Sequence, residues 1–423
     1  MYLREAKITN IRSITQLTWR IPDDASLPGW HVIVGNNGSG KSSFLKSVAI
    51  TLIGENDASA LWTNFSDWPR RSTRCGQVEL RLSPRFGTHS PGKNDAKYPR
   101  VQMEFYANAE SGIGFQTEIH SLTPHPWNPD NEVFSVGYGP FRRFTGEDQR
   151  LKELAQTKAR LGRHLSLLDE SFALTQCLEW LRELQFKSLE KQPDAGGLLR
   201  HVTAFINQPD FLPFQAKIER ITSDGIVFTD GNGAEVKVNQ LSDGYRSVLS
   251  LTFDLIRQLA AVYGPLKVFD PSDPTKIIAT GIVLIDEIDA HLHPTWQKQV
   301  GLWFREHFPN IQFIVTTHSP LVCQAADVGT VFRLPSPGSD EEGHFITGND
   351  LRRLLDGNVL EAFGTGVFGE GITRSDRSRQ HLKRLAELNV KEINAGLSEA
   401  EQHEQTELRS ALPTTAHTLS MQP

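Results

Sequence analysis

Apolar and polar positions change rhythm several times along this chain, and each change marks an element. Residues 2–9 read as a strand, Asn10-Ile11-Arg12-Ser13-Ile14 as a turn, and a second strand runs to Trp19-Arg20. Trp30-His31-Val32-Ile33-Val34 is a short apolar run stopping at Gly35, the pattern of a strand buried on both faces. Ile282-Val283-Leu284-Ile285 and Gln312-Phe313-Ile314-Val315 repeat it. The rhythm turns helical over 146–208. Leu151, Leu154, Leu161, Leu165 and Leu168, then Leu178, Leu181 and Leu184, recur at three- and four-residue spacings. Pro193 and Gly196-Gly197 are expected to break that run. Heptads are not sustained, so the segment predicts a compact helical lid, not a coiled-coil arm. An apolar helix follows from Val248 to about Tyr263. Near the end, helices are predicted around Leu351–Leu355 and 378–394, with a third from Ser398-Glu399-Ala400-Glu401 toward Leu412, opened by a capping box. Gly364, Gly366, Gly369 and Gly371 predict a flexible link before the last two, and residues from Pro413 onward a disordered tail.

These patterns predict an α/β chain of 423 residues, too long for one ordinary core. The expected organisation is a first lobe over 1–145, a helical insertion over 146–212, a second lobe over 213–348 and a helical region over 349–423 that makes oligomer or partner contacts. Hydrophobic residues at 38% and charged ones at 22% are ordinary for a folded protein. No run of eighteen apolar residues occurs and the first residues form no signal core, so a cytoplasmic protein without membrane contact is expected. Cys75, Cys177 and Cys323 suit neither a disulfide framework nor a zinc site. A net charge of −6 excludes a uniformly basic coat for nucleic acid.

Chemistry enters where the apolar strands end. Gly35-Asn36-Asn37-Gly38-Ser39-Gly40-Lys41-Ser42, followed by Ser43, is a phosphate-binding loop between a strand and a helix. Its glycines let main-chain N–H groups converge on phosphates, and the helix N-terminus adds partial positive charge. Lys41 should reach the β- and γ-phosphates and Ser42 should hold Mg²⁺. Asp286 and Glu287 close the strand ending at Ile285, on the edge where open α/β sheets place ligands. Asp286 is expected to bind Mg²⁺ through water, and Glu287 to orient or deprotonate the attacking water. His291 and His293, two apart, are a weak metal pair and are expected at the nucleotide edge of a subunit interface, with Asp289 facing the partner. His318, after Thr316-Thr317, is either a contact to the γ-phosphate or attacking water, or a surface histidine. Leu241-Ser242-Asp243-Gly244 precedes the helix at Val248, so Ser242 and Gly244 form a second anion site at a helix N-terminus. One nucleotide needs one phosphate loop. A second anion site makes sense if it docks on another subunit's γ-phosphate.

With these motifs in this order, the chain resembles the P-loop ABC-type ATPases, and more narrowly the branch holding RecF, the SMC-like proteins and the OLD-like ATPases. Asn10-Ile11-Arg12-Ser13 is similar to that branch's N-terminal Asn-Phe-Arg-Ser segment, which implies that Arg12 approaches the nucleotide. Asp286 to Pro294 is similar to the OLD-like form of its element. The resemblance covers about 1–145 and 213–335. It implies a mixed sheet with flanking helices, ATP and Mg²⁺ as cofactors, and a head-to-head dimer with ATP between Lys41 of one subunit and Ser242 of the other. The family's glutamine loop is not evident. Gln102 lies early in a strand-like run, and Val133 to Arg143 matches better in position but has no glutamine. Arg142 or Arg143 there is either a phosphate sensor or one of a salt-bridged surface pair.

After residue 335 no acidic cluster indicates a Toprim nuclease, so no nuclease domain is expected. In this the chain resembles stand-alone ATPase subunits of two-gene defence systems of the Septu and PARIS kind. That implies a Mg²⁺-dependent ATPase working in anti-phage defence with a separate nuclease of HNH or Toprim type. The alternative is a RecF-like repair clamp that binds DNA directly. Residues 60–100 carry eight Lys/Arg against three Asp/Glu, with Trp62 and Trp68 nearby, and read either as a nucleic-acid track or as a solvated hairpin. A transporter's nucleotide-binding subunit fits least, given the Asn10–Ile14 opening and the 200 residues between phosphate loop and signature.

Overall fold

The computed structural model describes residues 1–64, 68–70, 73, 75–83, 100–108, 112–119, 133–146, 148–209, 211–265, 267–339, 341–363, 367–368 and 375–411. Four calls of the sequence lie outside them: most of the basic stretch, the side chain of Trp62, the glycines of the predicted link and the tail from Pro413. The first strands are β1 (Tyr2–Ile11), β2 (Ile14–Arg20), β3 (Gly29–Val34), β4 (Cys75–Ser83), β5 (Arg100–Asn108), β6 (Gly112–Ile119) and β7 (Ser135–Tyr138). Then come β8 (Lys217–Thr222), β9 (Gly225–Thr229), β10 (Glu235–Lys237), β11 (Gly281–Ile285), β12 (Ile311–Thr316), β13 (Gly329–Arg333) and β14 (His344–Phe345).

Two main sheets result. The first is antiparallel, in the order β2-β1-β4-β5-β6. The second runs β14-β13-β3-β12-β11-β7, parallel except at β14. Strands β3, β7, β11 and β12 are buried along their whole lengths, which is why they read as unbroken apolar runs. A small antiparallel sheet, β10-β9-β8, stands apart.

The principal helices are α1 (Lys41–Ile53), α2 (Thr175–Leu189), α3 (Pro193–Ile206), α4 (Asp243–Tyr263) and α5 (Pro294–His307), then α6 (Asp376–Ala395) and α7 (Glu399–Ala411). Pro193 and Gly196-Gly197, expected to break the helical run, instead belong to α3. Pro193 sits in its first turn, where the missing N–H costs nothing. Gly196 lies so close to α2 that a Cβ there would come 3.1 Å from Ser188 Oγ. Phe205 of α3 packs edge-on to Trp303 at 5.3 Å and to Phe308 at 5.5 Å, and Phe211 lies 4.4 Å from Trp303. Phe205 and Phe211 are fully buried, and each contributes about 2–3 kcal/mol of apolar burial. The insertion buttresses α5.

The chain divides into two compact units, Met1–Ala362 and Phe363–Pro423. In the second, α6 pairs with α7 through Arg384–Glu404 and Lys391–Glu401. The predicted capping box is formed there: Ser398 N donates to Glu401 Oε2 at 3.0 Å and Glu401 N to Ser398 Oγ at 3.4 Å.

Candidate functional site

Strands β3, β11, β12 and β7 lie side by side and parallel, so their C-terminal ends share one edge of the sheet. Gly35 to Ser42, Asp286-Glu287, Thr317-His318 and Gly139 to Arg143 all leave from that edge. At the phosphate loop, Gly38 and Gly40 adopt φ of 79° and 99°, a left-handed backbone that a side chain would strain. That turn hands the chain to α1, whose thirteen residues begin at Lys41. Lys41 is buried, and its Nζ donates to Gly35 O at 2.8 Å and Asn36 O at 3.2 Å. Burial lowers its pKa, against the opposing pull of Glu287, Asp286 and Asp289. Those carboxylates are therefore its electrostatic neighbours. Asn36 and Asn37 are exposed, Ser42 is half-buried and Ser43 is buried.

Asp286 is buried and accepts from Thr316 Oγ1 at 2.5 Å, and the same hydroxyl accepts from Glu287 N at 2.7 Å. Glu287 itself has φ 46°, a left-handed conformation uncommon outside glycine. Asp289 is turned toward its own chain, its Oδ2 accepting from His318 N at 3.4 Å while buried Oδ1 has no partner. His318 is exposed. His293 caps α5, its Nδ1 accepting from Thr295 N, and His291 is exposed with φ 65°.

Ser242 is the N-cap of α4, exposed, and makes no side-chain cap bond. Gly244 lies against the loop after β11: a Cβ there would come 2.8 Å from His291 O. Any side chain would push the two apart. Arg12 lies in the β1–β2 turn with φ 48°, donates its N–H to Trp68 O at 2.8 Å, and holds its guanidinium 5.2 Å over the Trp68 ring. Its charge also lowers the pKa of Lys46 on α1, after the larger effect of burial.

Several expectations need correction. Arg142 is neither a phosphate sensor nor a surface ion pair. It is 4% exposed, and its five N–H groups are taken by Ser247 and by main-chain carbonyls. Arg143 donates to Glu170 O. Gln102 belongs to the antiparallel sheet, where its side chain donates to Glu104 Oε1 at 3.2 Å. Trp68 is no open stacking platform, being buried and stacked on Phe105 at 5.4 Å. Among described basic residues of the 60–100 stretch, Arg81 pairs with Glu5 and Glu79, Arg100 with Glu79, and Arg70 donates to Thr15.

The donor set suits a nucleotide polyphosphate with a divalent ion. Main-chain N–H groups at the start of α1, the Lys41 ammonium, the Ser42 hydroxyl and the Asp286 carboxylate lie on one edge. Inside the loop, the buried Ser39 hydroxyl has no partner.

Residues 140–324 match the family described as "AAA domain, putative AbiEii toxin, Type IV TA system". The chain is 27% identical over 333 residues to a Septu protein PtuA from Bacillus mycoides (strain KBAB4), covering 76% of this chain and 38% of that protein. It is 42% identical over 126 residues to a "Retron Ec83 probable ATPase" from Escherichia coli, 29% of this chain and 22% of that one. The chain thus spans well under half the length of these relatives. A solved SmcHead structure, bound to the C-winged helix domain of ScpA, aligns with 84% of this chain and 100% of its own at TM-score 0.49 and 13% identity. The phosphate loop, the Leu241–Gly244 turn, the Asp286-Glu287 strand end and His318 follow one another in this order, and with these relatives they give the chain its likeness to ABC-type ATPases of the defence type.

Proposed function

We propose that this protein is a Mg²⁺-dependent ATPase subunit of an anti-phage defence complex, in which ATP-dependent pairing of two heads regulates a separate nuclease. One observation carries the reading: buried Lys41 on its loop carbonyls and the Asp286-Glu287 pair held by Thr316 leave from one sheet edge, while Ser242 stands exposed at the start of α4 and makes no side-chain cap bond. A complete site needs an anion holder on the far side of the γ-phosphate, and an uncommitted serine at a helix N-terminus supplies one for a second copy.

In this reading the phosphate loop, Lys41 and Arg12 bind and orient the nucleotide, and Ser42 and Asp286 hold Mg²⁺. When bound, Mg²⁺-ATP supplies the transferable phosphoryl group and the charge that draws the two heads together. Glu287 accepts the proton of the attacking water, and His318 helps to orient it. Loss of the γ-phosphate contacts then favours separated heads. The defence role and the nuclease partner rest on likeness to the Septu and retron proteins. Glu287→Gln tests the chemistry. It should bind nucleotide normally and turn over about 10²-fold more slowly or worse, as expected for loss of a general base. Turnover at the parent rate would refute the assignment.

A further inference from the structure

Buried arginines are usually neutralised by a carboxylate in direct contact, and Arg142 is not. Its Nε donates to Ser247 Oγ at 2.8 Å, Nη1 to Gly139 O at 2.9 Å and Asp286 O at 3.0 Å, and Nη2 to Glu287 O at 3.2 Å and Ile288 O at 3.4 Å. All five donors are used, four of them on main-chain oxygens. Three of those oxygens belong to consecutive residues around the candidate base. Burial lowers the pKa of Arg142 to about 10 against the opposing pull of Asp286, Asp289 and Glu287, so it remains a cation at neutral pH.

The other end of this network lies on α4, the helix that begins at the signature turn. Ser247, Ser250 and Asp254 fall at three- and four-residue spacings, hence on one face, and all are buried. Ser250 Oγ donates to Arg142 O at 3.2 Å, and Tyr138 Oη donates to Asp254 Oδ2 at 3.1 Å. Tyr138 in turn holds the start of the acidic turn, since Asp286 N donates to Tyr138 O at 2.8 Å. A polar seam therefore runs from the signature helix through β7 and its loop to the peptide of Glu287. That peptide sits in a left-handed conformation that costs about 1–3 kcal/mol and persists only where its surroundings hold it.

We infer that Arg142 is a positioning residue: it locks the main chain of Asp286–Ile288 to Ser247, so that the register of the signature helix sets the aim of Glu287. This rests on the reading of Glu287 as the base. Docking of a second subunit on Ser242 would displace α4, and the seam would carry that displacement to the base. Hydrolysis would then answer to the partner's arrival and not to nucleotide alone.

The test compares Ser247→Ala, Arg142→Lys and their combination with the parent and with Glu287→Gln. Ser247→Ala is the mild variant, keeping the fold if Arg142→Lys does not. Three quantities are measured on the full chain: affinity for a fluorescent ATP analogue, steady-state kcat and KM, and amide exchange over 284–292. Ser247→Ala should lower kcat about five- to tenfold and Arg142→Lys about 10²-fold, as small misplacements of a catalytic group do, with analogue affinity and KM within about twofold. Exchange over 284–292 should quicken in both, and the combined variant should be no slower in turnover than Arg142→Lys. Parent-like kcat and exchange in Ser247→Ala, with Glu287→Gln inactive, would overturn the seam while sparing the reading of the base. A fall in kcat matched by an equal fall in folded fraction would overturn it too. If Glu287→Gln itself hydrolyses at the parent rate, the underlying reading fails instead.

Discussion

The two turns proposed to hold phosphate stand at the N-termini of α1 and α4, and they are finished differently. The turn before α1 is folded in on itself: Lys41 and Ser39 are buried, and the Lys41 ammonium is tied to carbonyls of its own loop. The turn before α4 is folded outward: Ser242 and Asp243 are exposed, and the Ser242 hydroxyl caps nothing. A self-contained turn can grip a ligand from within one chain. An outward one with an uncommitted hydroxyl has its use on the surface of something else. The difference teaches why the proposed function gives the two turns unlike tasks, one for loading and one for meeting what another copy has loaded.

The largest expected effect separates the halves at the first turn. Lys41→Ala should abolish measurable binding of Mg²⁺-ATP by calorimetry, since no other described cation lies among its loop carbonyls; retained affinity would break the comparison. Ser242→Arg should leave that binding within about twofold while removing nucleotide-dependent self-association in sedimentation, because a bulky cation would fill the helix N-terminus meant for phosphate. If it weakens nucleotide binding by the single chain instead, the second turn is no outward half-site. A smaller change is expected from Gly244→Ala. A Cβ placed 2.8 Å from His291 O must shift the turn by a few tenths of an ångström, so self-association should weaken about tenfold without loss of fold. Unaltered association would show that the spacing between this turn and the loop after β11 is unimportant.

The smallest effect sharpens the contrast in pH. His31 lies in β3, which delivers the phosphate loop, and burial depresses its pKa to about 4. Above pH 6.5 both folded and unfolded chains hold it neutral, and its contribution to stability is complete. Between pH 6.5 and 4 the unfolded chain takes up the proton first, so stability falls by up to roughly 3 kcal/mol. His164, buried beside β7 and depressed to about 3, adds in the same direction. Acid should therefore raise amide exchange in β3 and β7 before it does so in α4, which has no histidine. Equal onset in all three would contradict this.

Much of the site could be read in the sequence because it depends on local pattern. Unbroken apolar runs ending in Gly35, Asp286 and Thr316 announce buried strands, and the candidate site residues follow at their ends. The capping box at Ser398 is equally local. What stayed hidden depends on distant partners. Arg142 meets Asp286 O across 144 positions, and nothing near residue 142 announces that its donors go to main-chain oxygens. Pro193 and Gly196 looked like breakers because their neighbours were unseen; the first opens α3 and the second lets α3 approach Ser188. Trp68 looked available to a nucleic acid until Phe105, from another strand, covered it.

Sedimentation of Glu287→Gln with Mg²⁺-ATP, set beside the same protein without nucleotide, tests the pairing most directly. The account predicts a monomer without nucleotide and a stable dimer with it, reverting to monomer when Ser242→Arg is added. A single sedimenting species of monomer mass in both conditions, with nucleotide bound, would contradict it.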